Sequence, residues 1–366
     1  MLQVEKLIKE HLDNWRDILQ ESPYAINISE DIINGTKYYL LKYNQIASDF
    51  KNEIVRECRG LILDENFNPV CVPFYKFGNY GEGYCPNIDW STASVQEKVD
   101  GSLIKFWFDK TWHISTNGTI DSFKAPIGEN VFNLHSFGEV VLKALDKEGY
   151  TYETFTNKLD KDYTYMFELV SPLTRVVIDY KDYKLYFLGL RNNKTLEEHN
   201  PEKVDLLQLP KRYPLHSLNE VVSAAESLPW NEEGYVVCDS KYNRVKIKSP
   251  SYVMAHYMRN NNTISYSRLL DVVLRNEVEE FLIYADEYKD ALLEVKAKYE
   301  KFKEMVLNWI VNHPRDSYKT QKEYALEVIK QPKPMQQFLF RPKDAESYMD
   351  SLGGEKLIVL LNALDL

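Results

Sequence analysis

The sequence predicts an α+β domain built on antiparallel sheets, followed by an all-α C-terminal domain. Three observations carry this. Twelve of the fourteen glycines lie at or before Gly234 and the next is Gly353, so tight turns belong to the first two thirds of the chain. Short runs rich in β-branched and aromatic residues, bounded by turn formers, recur as far as residue 248. From about residue 263 the apolar spacing becomes helical.

Taken in order, the chain opens on a helical pattern near 2–20. Residues 37–43 (Lys-Tyr-Tyr-Leu-Leu-Lys-Tyr), 59–63, 102–108, 163–170 and 184–190 read as strands, with a helix near 131–148 between the strand groups. Residues 235–238 and 244–248 read as a hairpin joined by Asp-Ser-Lys-Tyr-Asn. Strand runs interrupted by helices in this way suit antiparallel sheets. In the tail Leu292, Val295, Tyr299, Phe302, Val306 and Ile310 step by three and four, the stripe of an amphipathic helix. Pro314 ends that helix, and further helices are expected at 317–330 and 343–364. The Asn260-Asn261-Asn262 cluster is the expected joint, dividing the chain at 1–256 and 257–366.

The 366 residues carry a formal charge of −10 and a pI of about 5.4. A protein that coats duplex presents a basic face, so any nucleic-acid contact here has to be local. The four cysteines show no Cys-x-x-Cys spacing and no histidines placed to complete a zinc site. The first residues lack a signal-peptide profile, and no apolar run approaches membrane-spanning length. A soluble cytoplasmic protein is expected. The seven histidines form no evident catalytic set.

The chemistry starts at Glu97-Lys98-Val99-Asp100-Gly101-Ser102, where a lysine is followed by a turn and then a strand. Gly101 permits a backbone conformation closed to other residues and a close approach to a ligand. A lysine here becomes a nucleophile if desolvation or neighbouring cations lower its pKa. Alone the motif is weak: Lys-x-Asp-Gly arises by chance in roughly one chain of this length in ten.

Other residues add weight. Glu233 precedes the first hairpin strand, and on the second strand Lys246 and Lys248 share a face opposite Ile247. Two lysines with a carboxylate nearby suit a triphosphate and a divalent cation. Glu168 interrupts an apolar strand, where a carboxylate needs a partner. Arg59 stands at the mouth of another strand, its guanidinium fork shaped for phosphate oxygens. Lys76 and Phe77 supply a further cation and an aromatic ring.

The ordered set Glu-Cys-Arg-Gly, Lys-Phe-x-Asn, Lys-x-Asp-Gly-Ser, Phe-Glu-Leu-Val, Glu-Gly-Tyr-Val and Lys-Ile-Lys-Ser resembles the covalent nucleotidyltransferase superfamily. Within it the set looks most like the RNA ligase 1 family of T-even bacteriophage type, from about residue 37 to 256. The resemblance implies a nucleotidyltransferase fold with ATP-grasp-like antiparallel sheets and flanking helices. It implies an ATP-dependent RNA ligase that uses Mg²⁺, with Mn²⁺ as an alternative. Lys98 would attack the α-phosphorus of ATP, and AMP would pass to an RNA 5′-phosphate before a 3′-hydroxyl displaces it.

Residue by residue, the resemblance places Arg59 and Lys76 on the outgoing phosphates, with Phe77 beside them. It places Glu168 at the ribose and Glu233 at the α-phosphate and its metal. Lys246 and Lys248 would neutralise charge during transfer, and Tyr252 matches a tyrosine that follows them. One departure stands out: Asn117 occupies a position where the phage-type enzymes have a lysine, a loss that would either weaken ATP binding or shift the load to Lys105 or Lys124 and so bears on the efficiency of the first step.

Capping guanylyltransferases and DNA ligases are disfavoured, because a strand-rich barrel should follow the lysine pair and the sequence turns helical instead. A rival of another class is a non-catalytic nucleotide-sensing or RNA-binding protein that keeps the pocket. The tail carries 16 basic and 18 acidic residues between 255 and 366, with no basic stripe. Two roles are open to it: recognising a structured RNA such as a nicked tRNA, or packing as a lid.

Overall fold

The computed structural model describes residues 1–45, 47–127, 134–257 and 265–364. The chain divides into two compact units, Met1–His256 and Tyr257–Leu366. The Asn260–Asn262 joint and the first residues of the helix expected at 131–148 lie outside the described residues.

The N-terminal unit opens on two helices, α1 (Gln3–Glu10) and α2 (Trp15–Gln20), where one helical stretch was expected over 2–20. They cover an antiparallel sheet of β1 (Ile26–Ile33), β2 (Thr36–Tyr43), β3 (Arg59–Leu63) and β4 (Pro69–Cys71), in that order. Between β2 and β3 lies the short α3 (Glu53–Glu57). Val4, Ile8, Trp15 and Leu19 pack there on Tyr39, Leu41, Leu61 and Leu63.

After β5 (Ser94–Glu97) come β6 (Ser102–Asp109) and β7 (Thr111–Thr116), then α4 (Phe137–Lys147) and α5 (Tyr152–Thr156). Ser136 and Glu139 close a capping box at the start of α4, satisfying donors that a helix end leaves unpaired. The strands β8 (Tyr163–Val170), β9 (Lys184–Asn192) and β10 (Glu198–His199) complete a second sheet in the order β10-β9-β8-β6-β7. Alternation decides what each face of β6 does. Ile104 and Phe106 join the core under α4 and α5 with Val140, Leu145 and Phe155. On the other face Leu103 meets Phe74 and Met166, and Trp107 packs with Tyr38, Leu40 and Ile62 of the first sheet. Lys105 lies between them, fully buried.

The third sheet joins β5 to three later strands: β11 (Arg212–Tyr213), β12 (Gly234–Cys238) and β13 (Arg244–Lys248). Its order is β11-β5-β12-β13. Val95, Val237, Val245 and Ile247 face α6 (Leu218–Glu226) through Val221 and Ala225. Gly234 has a φ of +138°, a conformation that L side chains rarely adopt, and a Cβ there would collide with the Ile247 carbonyl oxygen. Gly234→Ala is therefore expected to destabilise the chain by about 2–4 kcal/mol, from backbone strain and overpacking together. A shift of the urea midpoint at constant slope would measure it. An unchanged midpoint would show that β12 relaxes without cost.

The sheet unit closes with α7 (Pro250–Tyr257), and the C-terminal unit is helical among its described residues. It runs through α8 (Tyr266–Leu274), α9 (Val278–Tyr284) and the long α10 (Lys289–Asn312), whose stripe Leu292, Val295, Tyr299, Phe302 and Val306 is buried. Then follow α11 (Gln321–Val328), α12 (Lys333–Leu339), α13 (Ala345–Ser351) and α14 (Gly354–Asn362). The single helix expected over 343–364 is thus two. Gly353 breaks it at φ +73°, and Asp271 Oδ1 accepts the Gly354 N–H at 2.7 Å. Among the described residues no helix is long and apolar enough to cross a membrane.

Candidate active site

The three sheets of the N-terminal unit contribute to one cleft of about 300 Å³. Lys98 enters it from the turn between β5 and β6. That turn is tied from two sides. The Lys98 N–H donates to the Gly234 carbonyl at 2.8 Å. Behind it Asp100, 3% exposed, accepts from the N–H groups of Val177 and Ile178 at 2.9 and 2.7 Å and from the Tyr252 hydroxyl at 2.8 Å. A carboxylate removed from water needs such donors, and here they hold the Lys98 turn in one shape.

Lys98 Nζ lies 2.7 Å from Glu233 Oε1, and Lys248 Nζ lies 3.9 Å from the same oxygen. Glu233 is only 5% exposed, so screening is weaker here than at a surface pair. Glu168 reaches the cleft from the face of β8 opposite Phe167 and Leu169, which belong to the core. Burial pushes its carboxyl up to about 7; Lys98 opposes that shift and Glu233 adds to it.

The sign of that shift gives a stability test. Unfolded, Glu168 ionises from about pH 4.5; folded, it does so only near 7. The folded state binds the proton more tightly, so this group lowers stability as pH rises through that window. Glu168→Gln is expected to gain little melting temperature over the parent chain near pH 4.5 and its full gain above pH 7. An advantage that is the same at both pH values would show that Glu168 titrates normally.

The cations converge as follows. Arg59 lines the cleft with its guanidinium 5.3 Å from the Phe77 ring centre, and its NH1 is buried without a hydrogen-bond partner. Lys76 lies over the rings of Tyr43 and Phe50 at 5.5 and 5.1 Å. The segment carrying Lys76 and Phe77 is stitched to β13: the Lys246 N–H donates to Gly78 at 3.0 Å, and Lys246 accepts from Tyr80 N–H at 2.8 Å. Lys246 lines the cleft while Ile247 points into the core beneath α6.

Three expectations need correction. Gly101 lines the cleft, but its backbone is not in the left-handed region. A Cβ there would strike the Leu169 carbonyl oxygen, so the glycine is needed for the close passage of two strands. Tyr252, expected with the nucleotide-binding residues, does not line the cleft; it is 3% exposed and braces Asp100. Lys124 cannot stand in at Asn117, since its ammonium pairs with Asp31 at 2.7 Å. Asn117 does line the cleft, with Oδ1 buried and unpartnered. Lys105 lies beside it, donating to the Gly60 carbonyl, and burial drives its ammonium down to about 8.

Arg244 was missed. It lines the cleft, packs 4.1 Å from the Phe74 ring centre and pairs with Glu198 at 2.6 Å. The signal was available: Arg244, Lys246 and Lys248 alternate on one strand face. Among the described residues no group of three or more His, Cys, Asp or Glu could hold a metal. A metal here would need to take most of its ligands from a phosphate and water.

Residues 57–252, more than half of the chain, match the RNA ligase family model. The chain belongs to the RNA ligase family. It is 31% identical over 271 residues to a candidate bifunctional polynucleotide kinase/RNA ligase of Autographa californica nuclear polyhedrosis virus. That match covers 69% of this chain and spans 38% of the viral protein's length. It is 26% identical over 364 residues to an RNA ligase of Rhodothermus phage RM378, covering 81% of this chain and 80% of the phage protein. Among solved structures, an archaeal ATP-dependent RNA ligase aligns with 84% of this chain and 83% of its own at 13% identity, with a TM-score of 0.46. The cleft residues from Arg59 to Lys246, and the Glu233–Lys248 pair beside them, fall inside the family match.

Proposed function

We propose that the chain is an ATP-dependent RNA ligase that joins 5′-phosphate and 3′-hydroxyl RNA ends through a lysyl-adenylate on Lys98. The observation that carries this reading is Lys98 Nζ, 2.7 Å from Glu233 Oε1, in a cleft that also holds Arg59, Lys76 and Lys246. Phosphoryl transfer needs in-line positioning and cations on the phosphate oxygens more than acid–base chemistry. This cleft offers the cations. The unpartnered Arg59 NH1 fits a phosphate oxygen, which would remove the cost of leaving a buried donor unpaired.

Attack requires the nitrogen lone pair, so a proton leaves Lys98 Nζ, and Glu233 Oε1 is within reach to take it. A bond forms from nitrogen to the α-phosphorus of ATP as the bond to pyrophosphate breaks. Arg59 and Lys76 hold the leaving oxygens, Lys246 and Lys248 the equatorial ones, and Glu168 accepts from the ribose hydroxyls. An RNA 5′-phosphate then takes the AMP from Lys98, and a 3′-hydroxyl displaces it to seal the strand.

Mg²⁺ suits the site, because it keeps several waters and needs only one or two carboxylates besides phosphate. Glu233 would hold it, and it would supply charge neutralisation at the α-phosphate. The cellular task that fits this chemistry is repair of broken RNA, nicked tRNA included, in the cytoplasm. The sheet unit, 1–256, is read as the adenylyltransferase domain, and the helical unit, 257–366, as an accessory domain.

The test is direct. The protein is incubated with Mg²⁺ and ATP labelled at the α-phosphate, run on a denaturing gel, then chased with RNA bearing a 5′-phosphate and a 3′-hydroxyl. Label should remain on the protein and move to a joined product. No label on the protein would sink the reading and leave a nucleotide-sensing or RNA-binding role.

A further inference from the structure

Beyond the Lys76–Phe77 segment a second cleft of about 490 Å³ opens in the N-terminal unit. It shares Lys76, Phe77 and Arg244 with the first cleft, so the two are separated by a single wall of side chains. Its other cations are Lys51 and Arg56. The NH1 of Arg56 is anchored on the carbonyls of Phe50 and Lys51 at 2.9 and 2.8 Å. The carboxylate among its lining residues, Glu198, is neutralised by Arg244 at 2.6 Å. The lining is therefore positive in a chain whose formal charge is −10. Tyr75, Tyr84 and Tyr242 also line it.

Cations that can follow a backbone, interleaved with aromatic rings that accept any base, are the composition of a single-strand nucleic-acid groove. We propose that this second cleft seats the RNA strand that bears the 5′-phosphate, with its terminal phosphate passing the Lys76–Phe77 wall to reach Lys98. The assignment rests on the ligase reading, and the geometry adds the reason for choosing this strand. Transfer of AMP needs an RNA 5′-phosphate at the adenylated lysine. A strand lying in a cleft that shares a wall with that site has only that wall to pass to bring its end to Lys98. Tyr242 stacks on a base near the end, and Lys51 and Arg56 bind the phosphates that follow.

Two variants outside the catalytic residues test this. Lys51 is exposed, so Lys51→Ala removes one cation. Tyr242 sits at φ +61°, a region asparagine tolerates, so Tyr242→Asn removes the ring and keeps the turn. Labelling by ATP is measured first, then KM for separate 5′-phosphate and 3′-hydroxyl strands, then removal of AMP from the protein by added pyrophosphate.

The expected result is labelling and pyrophosphate removal as in the parent chain, with KM for the 5′-phosphate strand raised about tenfold by Tyr242→Asn. Lys51→Ala should lower the salt dependence of binding that strand by about 0.7 in log–log slope. A rise confined to the 3′-hydroxyl strand would overturn the assignment in favour of that strand. Slower pyrophosphate removal would make the cleft the exit for the leaving group instead. Unchanged constants throughout would leave RNA outside it. A parent chain that takes no label would instead remove the ligase reading itself.

Discussion

Lys98→Ala is expected to abolish attachment of the α-phosphate label while leaving the fold intact. The side chain is about one fifth exposed and stands in the cleft, outside the hydrophobic cores, so its loss creates no core cavity. Glu233 keeps Lys248 as a partner at 3.9 Å. The chemical loss should be total, since the proposed bond to phosphorus is made by that one nitrogen. Sealing of RNA that already carries a 5′-adenylate separates the steps. It should survive in the variant to a measurable degree, because the lysine's bond is not formed in that reaction. Residual labelling of the variant, mapped to another residue, would move the nucleophile elsewhere.

Glu233→Gln is expected to slow label attachment about a hundredfold or more, the scale seen when one preorganised charge-stabilising group is removed from a transition state. The substitution keeps size and hydrogen-bonding capacity, so the melting temperature should change little. It takes the carboxylate away from Lys98 at 2.7 Å and from any metal at the α-phosphate. Two effects then compete. Without the ion pair to Glu233 the Lys98 amine is no longer held against the carboxylate and can move more freely onto the α-phosphorus. Yet no carboxylate remains to receive the Lys98 proton or to hold the metal. If release from that ion pair alone limits the reaction, the variant will be faster than the parent, and Glu233 is then only a tether. A slower variant that is not restored at higher pH assigns the carboxylate to the transfer itself.

Much of the sheet unit was legible because its signals are local. β3 (Arg59–Leu63) and β8 (Tyr163–Val170) fall where the apolar and aromatic runs put them. The hairpin of β12 and β13 pairs Gly234 with Lys248 and Val237 with Val245, across a turn that Asp239 holds by accepting from Lys241 and Asn243. Strands such as β1 (Ile26–Ile33) went unread because their outer positions are polar: Asn27, Ser29 and Glu30 blur the pattern, and pairing with β2 decides the state. Helix ends were blurred for a related reason. A break such as the one at Gly353 depends on a left-handed residue and on Asp271, far away in sequence.

By itself the sequence determined the α+β order, the helical tail and most of the charged residues that meet at the cleft, Arg244 excepted. Periodicity and turn chemistry act over a few residues, so they survive reading in one dimension. Only the tertiary structure decided how those residues meet. It set Lys98 against Glu233, sent Tyr252 away from the cleft lining to Asp100 across 152 residues, tied Lys124 to Asp31 and buried Lys105 against the Gly60 carbonyl. Each of these is settled by strand pairing and burial between distant segments, and no local propensity encodes which distant partner a charge will find.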